Sequence, residues 1–440
     1  MSTLLMVESW LHSTGRGLPP VVEALGHEYI LFTRDPALYP PDHDGRPHPV
    51  VAGAREIVVV DTNDDAVVAA AATELARRQR IDGVLTTCDY YLGTVATVAR
   101  ALGLPGADPD VMRRATQKHL VRAALDDAGL PNPAYAVAAD WPTAQAAAAR
   151  IGTPLITKPV DLNAGTSVER IDNDAALKDA FWSVTEARRN TRGQPRSRLL
   201  LMEQRMTGVE VSVEAVTVDG RTTVVGITDK SLTAPPACVE SGHMFPAALD
   251  PAVAREAAGF AAEALAAIGF THGLSHVEVM LTPDGPRVVE INPRQAGGYI
   301  FDLVHLVTGT HPLEMLVELA LGRMPDLDGG GVVALGRPVP GVGRPLSAAV
   351  YFVMSPRDGV VDRITGVEQI GADPFVYRWE LDAPGPVRRP RDNDAYIGHL
   401  VVVDPDGLGA RRHVERLVGG LRLHFRDGDV TTPLLSPLSP

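Results

Sequence analysis

Cysteine is nearly absent from this 440-residue chain, occurring only as Cys88 and Cys238. Two thiols are too few for a disulfide framework or a cysteine zinc site, and an intracellular pair stays reduced. No apolar run approaches the roughly 18 residues that cross a bilayer, so no membrane span is expected. A basic excess is missing too: the formal net charge of −13 offers no positive field to nucleic acid or an anionic membrane. Residues 1–9 pass into a strand-like run, Leu4-Leu-Met-Val, without a basic leader or cleavage site, and a soluble, cytoplasmic protein is the expectation. Lysine is the scarcest charge, standing only at 118, 158, 178 and 230 and leaving 37 of the 41 basic residues as arginine. Where arginine supplies generic surface charge, a retained lysine is a candidate for a specific task. Lys178, in Asp174-Ala-Ala-Leu-Lys-Asp-Ala-Phe, reads instead as part of an exposed helix face.

The length suits two or three domains. The first hundred residues alternate strand-like runs at 4–7, 29–32, 57–60 and 84–86 with helix-like segments at 17–25, 66–78 and 91–102. This is the rhythm of βαβ units on a small parallel sheet. The turn Ser13-Thr-Gly-Arg-Gly lies between first strand and first helix, where ligands favour such sheets, although its glycine pair is not a full dinucleotide fingerprint. Leu104-Pro-Gly-Ala-Asp-Pro breaks the pattern. A helix follows over 118–128, then a mixed region to about 322. A Gly/Pro-rich segment at 329–345 leads into a C-terminal α+β portion with strands near 348–354, 375–380 and 397–403. The tail 431–440 is expected to be loosely packed. The expected domains are 1–107, 108–325 and 326–440.

The most informative stretch is Ser275-His-Val-Glu-Val-Met-Leu-Thr-Pro-Asp-Gly-Pro-Arg-Val-Val-Glu-Ile-Asn-Pro-Arg. Two strands flank a turn at 282–286. Pairing Leu281 with Arg287 sets Val279 against Val289, Glu278 against Glu290 and His276 against Asn292. Strand alternation then puts His276, Glu278, Glu290 and Asn292 on one face. Opposed carboxylates repel unless a cation lies between them. Magnesium, a hard ion taking carboxylate, phosphate and water oxygens, fits better than zinc on His276, because the other ligands are oxygen. The alternative is a solvated acidic face.

Lys158 ends the apolar strand Pro154-Leu-Ile-Thr-Lys and precedes Val160-Asp-Leu-Asn-Ala-Gly-Thr-Ser-Val. A lysine there can meet a phosphate while amides of the small-residue loop, at Gly165, Thr166 and Ser167, cover it. The loop carries no Walker sequence. Glu203-Gln-Arg-Met-Thr-Gly-Val-Glu follows a strand and could hold a purine on backbone groups, with Glu210 accepting ribose hydroxyls. Lys230-Ser-Leu-Thr-Ala-Pro-Pro-Ala-Cys-Val-Glu-Ser-Gly-His-Met-Phe-Pro reads as loop, yet it places Lys230, Glu240 and His243 among small and apolar residues.

In order and spacing these motifs resemble the ATP-grasp superfamily, and within it the carboxylate-amine ligases that include bacterial L-amino acid ligases. The resemblance is strongest over 110–322, and most specific in Gly273-Leu-Ser-His-Val-Glu-Val, Val289-Glu-Ile-Asn-Pro-Arg-Gln-Ala-Gly-Gly and Ile227-Thr-Asp-Lys-Ser-Leu. It implies an α/β ATP-grasp fold with an N-terminal Rossmann-like domain and a C-terminal α+β domain. It further implies that Lys118 and Lys158 hold ATP phosphates, that Glu203, Gln204 and Met206 line the adenine and that Glu210 holds the ribose. Glu278, Glu290 and Asn292 match ligands of Mg2+ or Mn2+, and Arg294 matches the arginine beside the transferred phosphoryl group. Glu240 and His243 match residues facing the amino-acid pocket, where Glu240 would hold an ammonium and His243 would orient the substrate or help remove the amine proton. The implied partners are small carboxylate and amine substrates, amino acids among them, and a second copy in a homodimer. The chain departs from the family in the few glycines of loop 161–167 and in Gln117, where an aspartate is common.

The chemistry implied needs no protein nucleophile. A substrate carboxylate attacks the γ-phosphate, and an amine then displaces phosphate from the acyl phosphate. Two rival readings are a biotin-carboxylase-like enzyme acting on bicarbonate and a nucleotide-binding regulator with a degenerate site.

Overall fold

A computed structural model of the protein describes residues 1–42, 45–163, 165–233, 239–327, 344–382 and 384–435. Cys238, most of the segment 329–345 and the end of the tail lie outside the described residues. The N-terminal unit is a parallel sheet in the order Glu56–Val59, Glu28–Thr33, Thr3–Val7, Gly83–Leu85. Leu4 to Val7 are fully buried because helices cover both faces of this sheet. Helix Asp65–Arg78 starts where the Asp64 side chain accepts from the amides of Ala66 and Val67, and ends with Arg77 and Arg78 in its last turn. The expected turn at 13–17 is shorter than the sequence suggests, since helix Thr14–Ala24 already begins at Thr14. Gly15 is needed there because a Cβ would lie 1.8 Å from the Trp10 carbonyl oxygen.

A second, antiparallel sheet runs Tyr135–Ala138, Leu200–Gln204, Leu155–Pro159, Glu169–Ile171. Helices Trp141–Ile151 and Asp174–Glu186 pack on it through Leu155, Ile171, Phe181, Leu200 and Met202.

The largest sheet has eight strands, in the order Gly285–Asn292, Gly273–Thr282, Val209–Val218, Arg221–Leu232, Glu240–Phe245, Ser347–Met354, Tyr396–Asp404, Val376–Leu381. Helix Pro251–Ala267 lies on its first half. Its alanines at 254, 257, 261 and 264 let the backbone approach the sheet closely around Val277, Val279 and Ile291. The sequence reading set the C-terminal strands apart. The structure instead continues the sheet into them, pairing Gly242 with Tyr351 and Phe245 with Ala348. A small C-terminal sheet of Gly385–Val387, Gly359–Thr365, Arg422–Phe425 and Val430–Thr431 packs with helix Ala410–Gly420 behind it. Among the described residues no helix is long and apolar enough to cross a membrane.

Candidate active site

The hairpin Gly273–Thr282/Gly285–Asn292 pairs His276 with Asn292, Val277 with Ile291 and Glu278 with Glu290, as the alternation requires. Beyond Glu278 the register shifts by one: Val279 faces Val288, Met280 faces Arg287 and Leu281 faces Pro286. The expected Leu281–Arg287 and Val279–Val289 pairs are therefore corrected. The tight connection is Pro283-Asp284, and a bulge at Val289 absorbs the extra residue. That bulge turns the Val289 carbonyl toward Lys158 Nζ, 3.2 Å away, and Arg122 Nη2, also 3.2 Å away.

The opposed carboxylates are not relieved by one shared partner. Glu278 meets Lys230 at 2.8 Å, whereas Glu290 meets Lys118 at 3.0 Å. Lys230, its side chain 9% exposed, reaches two further carboxylates, Glu210 at 2.8 Å and Glu240 at 3.1 Å. It does not sit in a loop, nor do Glu240 and His243. Strand Arg221–Leu232 carries Lys230 directly opposite His243 on strand Glu240–Phe245, while 234–238 lie outside the described residues. Three carboxylates on one ammonium leave two negative charges in excess, an environment that favours cations. Burial would lower the Lys230 ammonium, but the three carboxylates hold it well above its ordinary range. Burial likewise opposes the charged forms of Glu240 and Glu278, yet Lys230 keeps both below the usual carboxylate range. At Glu210 burial wins and its carboxyl is pushed up.

Lys158, on strand Leu155–Pro159, meets Glu203 at 2.6 Å, and Arg122 Nε meets the same carboxylate at 2.5 Å. Glu203 is 3% exposed, and its carboxylate is engaged in this buried triad. Its strand, Leu200–Gln204, runs into the connection 205–208, and Gln204 and Met206 line the cleft. Lys118 opens helix Lys118–Asp127. Its backbone donates to the Val160 carbonyl, and its Nζ donates to the Leu162 carbonyl, which ties down the start of loop 161–167. Gly165 of that loop has φ +67 and lines the cleft; Thr166 is exposed and Ser167 half-buried.

Arg294 is held by Asp89 through its Nε. The other Asp89 oxygen accepts from Trp10 Nε1 at 3.0 Å and Asn163 Nδ2 at 3.1 Å. Nearby, His243 Nε2 lies 3.7 Å from Glu240. Asn393 Nδ2 donates to the same Glu240 oxygen, Oε2, at 3.1 Å, and the Tyr396 hydroxyl donates to the Glu240 carbonyl at 3.0 Å. Gly298, with φ +56, keeps this end open, since a Cβ would lie 3.1 Å from His243 Nε2.

One cleft of about 610 Å³ gathers Lys158, Gly165, Glu203, Gln204, Met206, Glu210, Glu240, His243, Glu278, Glu290, Asn292 and Arg294. Lys118 lies apart from it. It lines a second cleft, of about 650 Å³, that shares Asp89, Asn163, Glu290 and Asn292 with the first. Sequence reasoning missed Asp89, Trp10, Arg122 and Asn393, none of which stands in a distinctive motif, and gave no role to Asn163 within the loop 161–167. The rarity of lysine pointed to Lys230, but its three partners were not foreseen. A divalent cation fits the donor set of Glu278, Glu290 and Asn292, which is all oxygen and shares one face. Among the described residues no group of three His, Cys, Asp or Glu side chains could hold a metal, so the Asn292 amide and substrate oxygens would have to complete such a site.

Comparison with known proteins bears on the family and the fold. Residues 151–302 match the family model of the ATP-grasp domain, 22–106 that of the ATP-grasp N-terminal domain and 351–426 that of the L-amino acid ligase C-terminal domain 2. The chain is 28% identical to the protein y4rH of Sinorhizobium fredii, over 99% of its own length and 86% of that protein. It is 29% identical to human carnosine synthase 1 over 57% of its length, and there spans only 32% of the relative. The crystal structure of an L-amino acid ligase from Bacillus licheniformis superposes with a TM-score of 0.77 at 21% identity, covering 97% of this chain and 99% of that one. The chain belongs to the ATP-grasp ligases and, among them, resembles the L-amino acid ligases.

Proposed function

We propose that the protein is an ATP-dependent carboxylate-amine ligase that joins an amino acid to a second small substrate through an acyl phosphate, releasing ADP and phosphate. The observation that carries the proposal is the meeting, in one cleft, of a nucleotide end at Lys158, Gln204, Met206 and Glu210 with an ammonium-suited end at Glu240 and His243. Arg294 and the face bearing Glu278, Glu290 and Asn292 line the same cleft.

In the proposed reaction a carboxylate oxygen attacks the γ-phosphorus and the bond to the β-phosphate oxygen breaks, so ADP leaves. Lys158 and Arg294 neutralise charge developing on the transferred group, and positioning does most of the rest. Lys118 supports the same phosphates from behind Glu290. Glu278, Glu290 and Asn292 would hold Mg2+ or Mn2+, which when bound supplies charge neutralisation at phosphate oxygens. Glu240 holds the ammonium of the amino acid, and His243 takes the proton that must leave before the amine attacks the acyl carbon. Loop 161–167 is the proposed cover that keeps water from the acyl phosphate. Small carboxylates and amines are thus the proposed partners, in the cytoplasm, with a homodimer as the proposed assembly.

The test is ADP release measured across a matrix of amino-acid and small-acid pairs, with mass spectrometry of the products. The proposal expects at least one pair to raise ADP release and yield an amide of the summed mass less water. ADP release dependent on bicarbonate alone, or on no pair, would overturn it.

A further inference from the structure

Beside Glu278, at the edge of the hairpin's acidic face, lies a polar cluster that the proposed chemistry does not use. Glu214, on strand Val209–Val218, stands directly opposite His276 in the strand register. Both are buried, at 7% and 8% exposure. His276 Nδ1 lies 3.0 and 3.1 Å from the two Glu214 oxygens. The hydroxyls of Ser212 and Thr228 donate to Glu214 Oε1 at 2.7 and 3.0 Å. The other imidazole nitrogen, Nε2, lies 3.5 Å from Glu278 Oε1.

We infer that Glu214 and His276 form a buried positioning pair that fixes the Glu278 carboxylate in the orientation in which it would meet a divalent cation. The inference rests on the proposed reading of the hairpin face as the metal-nucleotide end of the site. A buried ion pair contributes little net stability and can often be replaced by apolar residues at no cost, so stability alone gives a poor account of this one. Geometry gives a better one. Glu278 has two neighbours of unequal freedom. Its Oε2 meets Lys230 at 2.8 Å, a long side chain that also serves Glu210 and Glu240. Its Oε1 faces the His276 ring, which cannot turn without losing both contacts to Glu214. Glu214 is in turn immobilised by two hydroxyls on its own and the adjoining strand. When Lys230 is drawn toward another carboxylate, Glu278 keeps one oxygen oriented and presents the other. Partners that orient metal-binding side chains in this way typically carry a substantial share of the affinity.

The test compares the full-length wild type with His276→Gln, Glu214→Gln and the double variant, by titrating Mn2+ in the presence of ADP and reading free Mn2+ by electron paramagnetic resonance. Each variant is expected to weaken Mn2+ binding about tenfold, and the double variant no more than His276→Gln alone, because the two residues act as one unit. Affinity for ADP without metal is expected to stay within about twofold. Wild-type Mn2+ affinity in folded variants would overturn the inference, as would equal losses for metal-free ADP. The double variant removes both charges and leaves no buried ion unpaired, so its failure to fold would make the pair a core support and overturn the inference as well. If the wild type itself failed to bind Mn2+ with ADP, the reading of the cleft would fall, whatever the variants did.

Discussion

Asp89 and Arg294 stand 205 positions apart, and the Arg294 guanidinium donates to the Asp89 carboxylate at the join between the N-terminal sheet and the hairpin. Burial would lower the guanidinium, but Asp89 raises it above its ordinary value, so it stays charged. The N-terminal unit thereby sets the direction of the arginine proposed to neutralise the transferred phosphoryl group. Asp89→Asn keeps the size and removes the charge. A charge-assisted hydrogen bond is worth about 1.5–3 kcal/mol, so the expected outcome is a fall in kcat of about tenfold to a hundredfold. The KM for ATP should be unchanged in steady-state kinetics. A kcat equal to wild type would remove Asp89 from this role.

Glu290→Gln deletes one charge from the pair facing Glu278 and leaves Lys118 without its 3.0 Å partner. Most Mg2+-dependent turnover is expected to be lost while the circular-dichroism spectrum and melting temperature stay close to wild type, because Glu290 is partly exposed. Activity titrated against Mg2+ decides the matter. Unchanged magnesium dependence would sink the assignment of Glu290 to the metal.

The hairpin could be read in the sequence because its signal is local. Alternation over ten residues puts His276, Glu278, Glu290 and Asn292 on one face whatever the rest of the chain does. The same alternation could not reveal the bulge at Val289, since a bulge replaces no residue type and is fixed by the Lys158 and Arg122 side chains that reach its carbonyl. The sheet's passage from Glu240–Phe245 into Ser347–Met354 was equally hidden, because pairing between distant strands leaves no periodic trace. The proline pair at 235–236 made 230–246 read as loop, although Lys230 and His243 are strand partners. Glu203 shows the opposite limit. Its place in the motif was clear, but the carboxylate's engagement by Arg122 and Lys158 depends on a helix residue 81 positions upstream and a neighbouring strand.

Glu240 and its neighbours address the choice of amine. Glu240→Gln is expected to raise the KM for the amino acid at least tenfold, since a charge-assisted contact is lost. The KM for ATP should rise less, because Glu240 reaches the nucleotide end only through Lys230, which it shares with Glu210. Asn393→Ala removes one hydrogen bond to the Glu240 carboxylate and should raise the same KM by a smaller factor than Glu240→Gln does, because the charge that meets the ammonium is kept. Initial rates with each substrate varied separately check both. Equal losses for ATP and amino acid would move Glu240 out of the amine site.

The Arg122–Glu203–Lys158 triad sets an acid limit on stability. Burial would raise the Glu203 carboxyl, but Arg122 and Lys158 overcome this and depress it from 4.5 to about 2. A carboxyl depressed in the folded state contributes stability that is present above its unfolded value and is lost as pH falls through the folded one. The contribution, on the order of 3 kcal/mol, should therefore be intact above about pH 4.5 and disappear toward pH 2. Glu203→Gln should destabilise the protein at neutral pH by a similar amount, leaving two buried cations uncompensated, and flatten the loss in that window. Urea denaturation from pH 7 to 2 measures it. Parallel curves for variant and wild type would show that Glu203 is not the titrating group.

The central claim is phosphoryl transfer to a substrate carboxylate, and isotope transfer tests it most directly. A productive amino-acid pair is supplied with the acid component labelled with 18O in its carboxylate, and the released phosphate is analysed by mass spectrometry. The account expects ADP as the nucleotide product and one 18O atom per phosphate formed. AMP and pyrophosphate, or phosphate free of the label alongside amide product, would contradict an acyl phosphate intermediate.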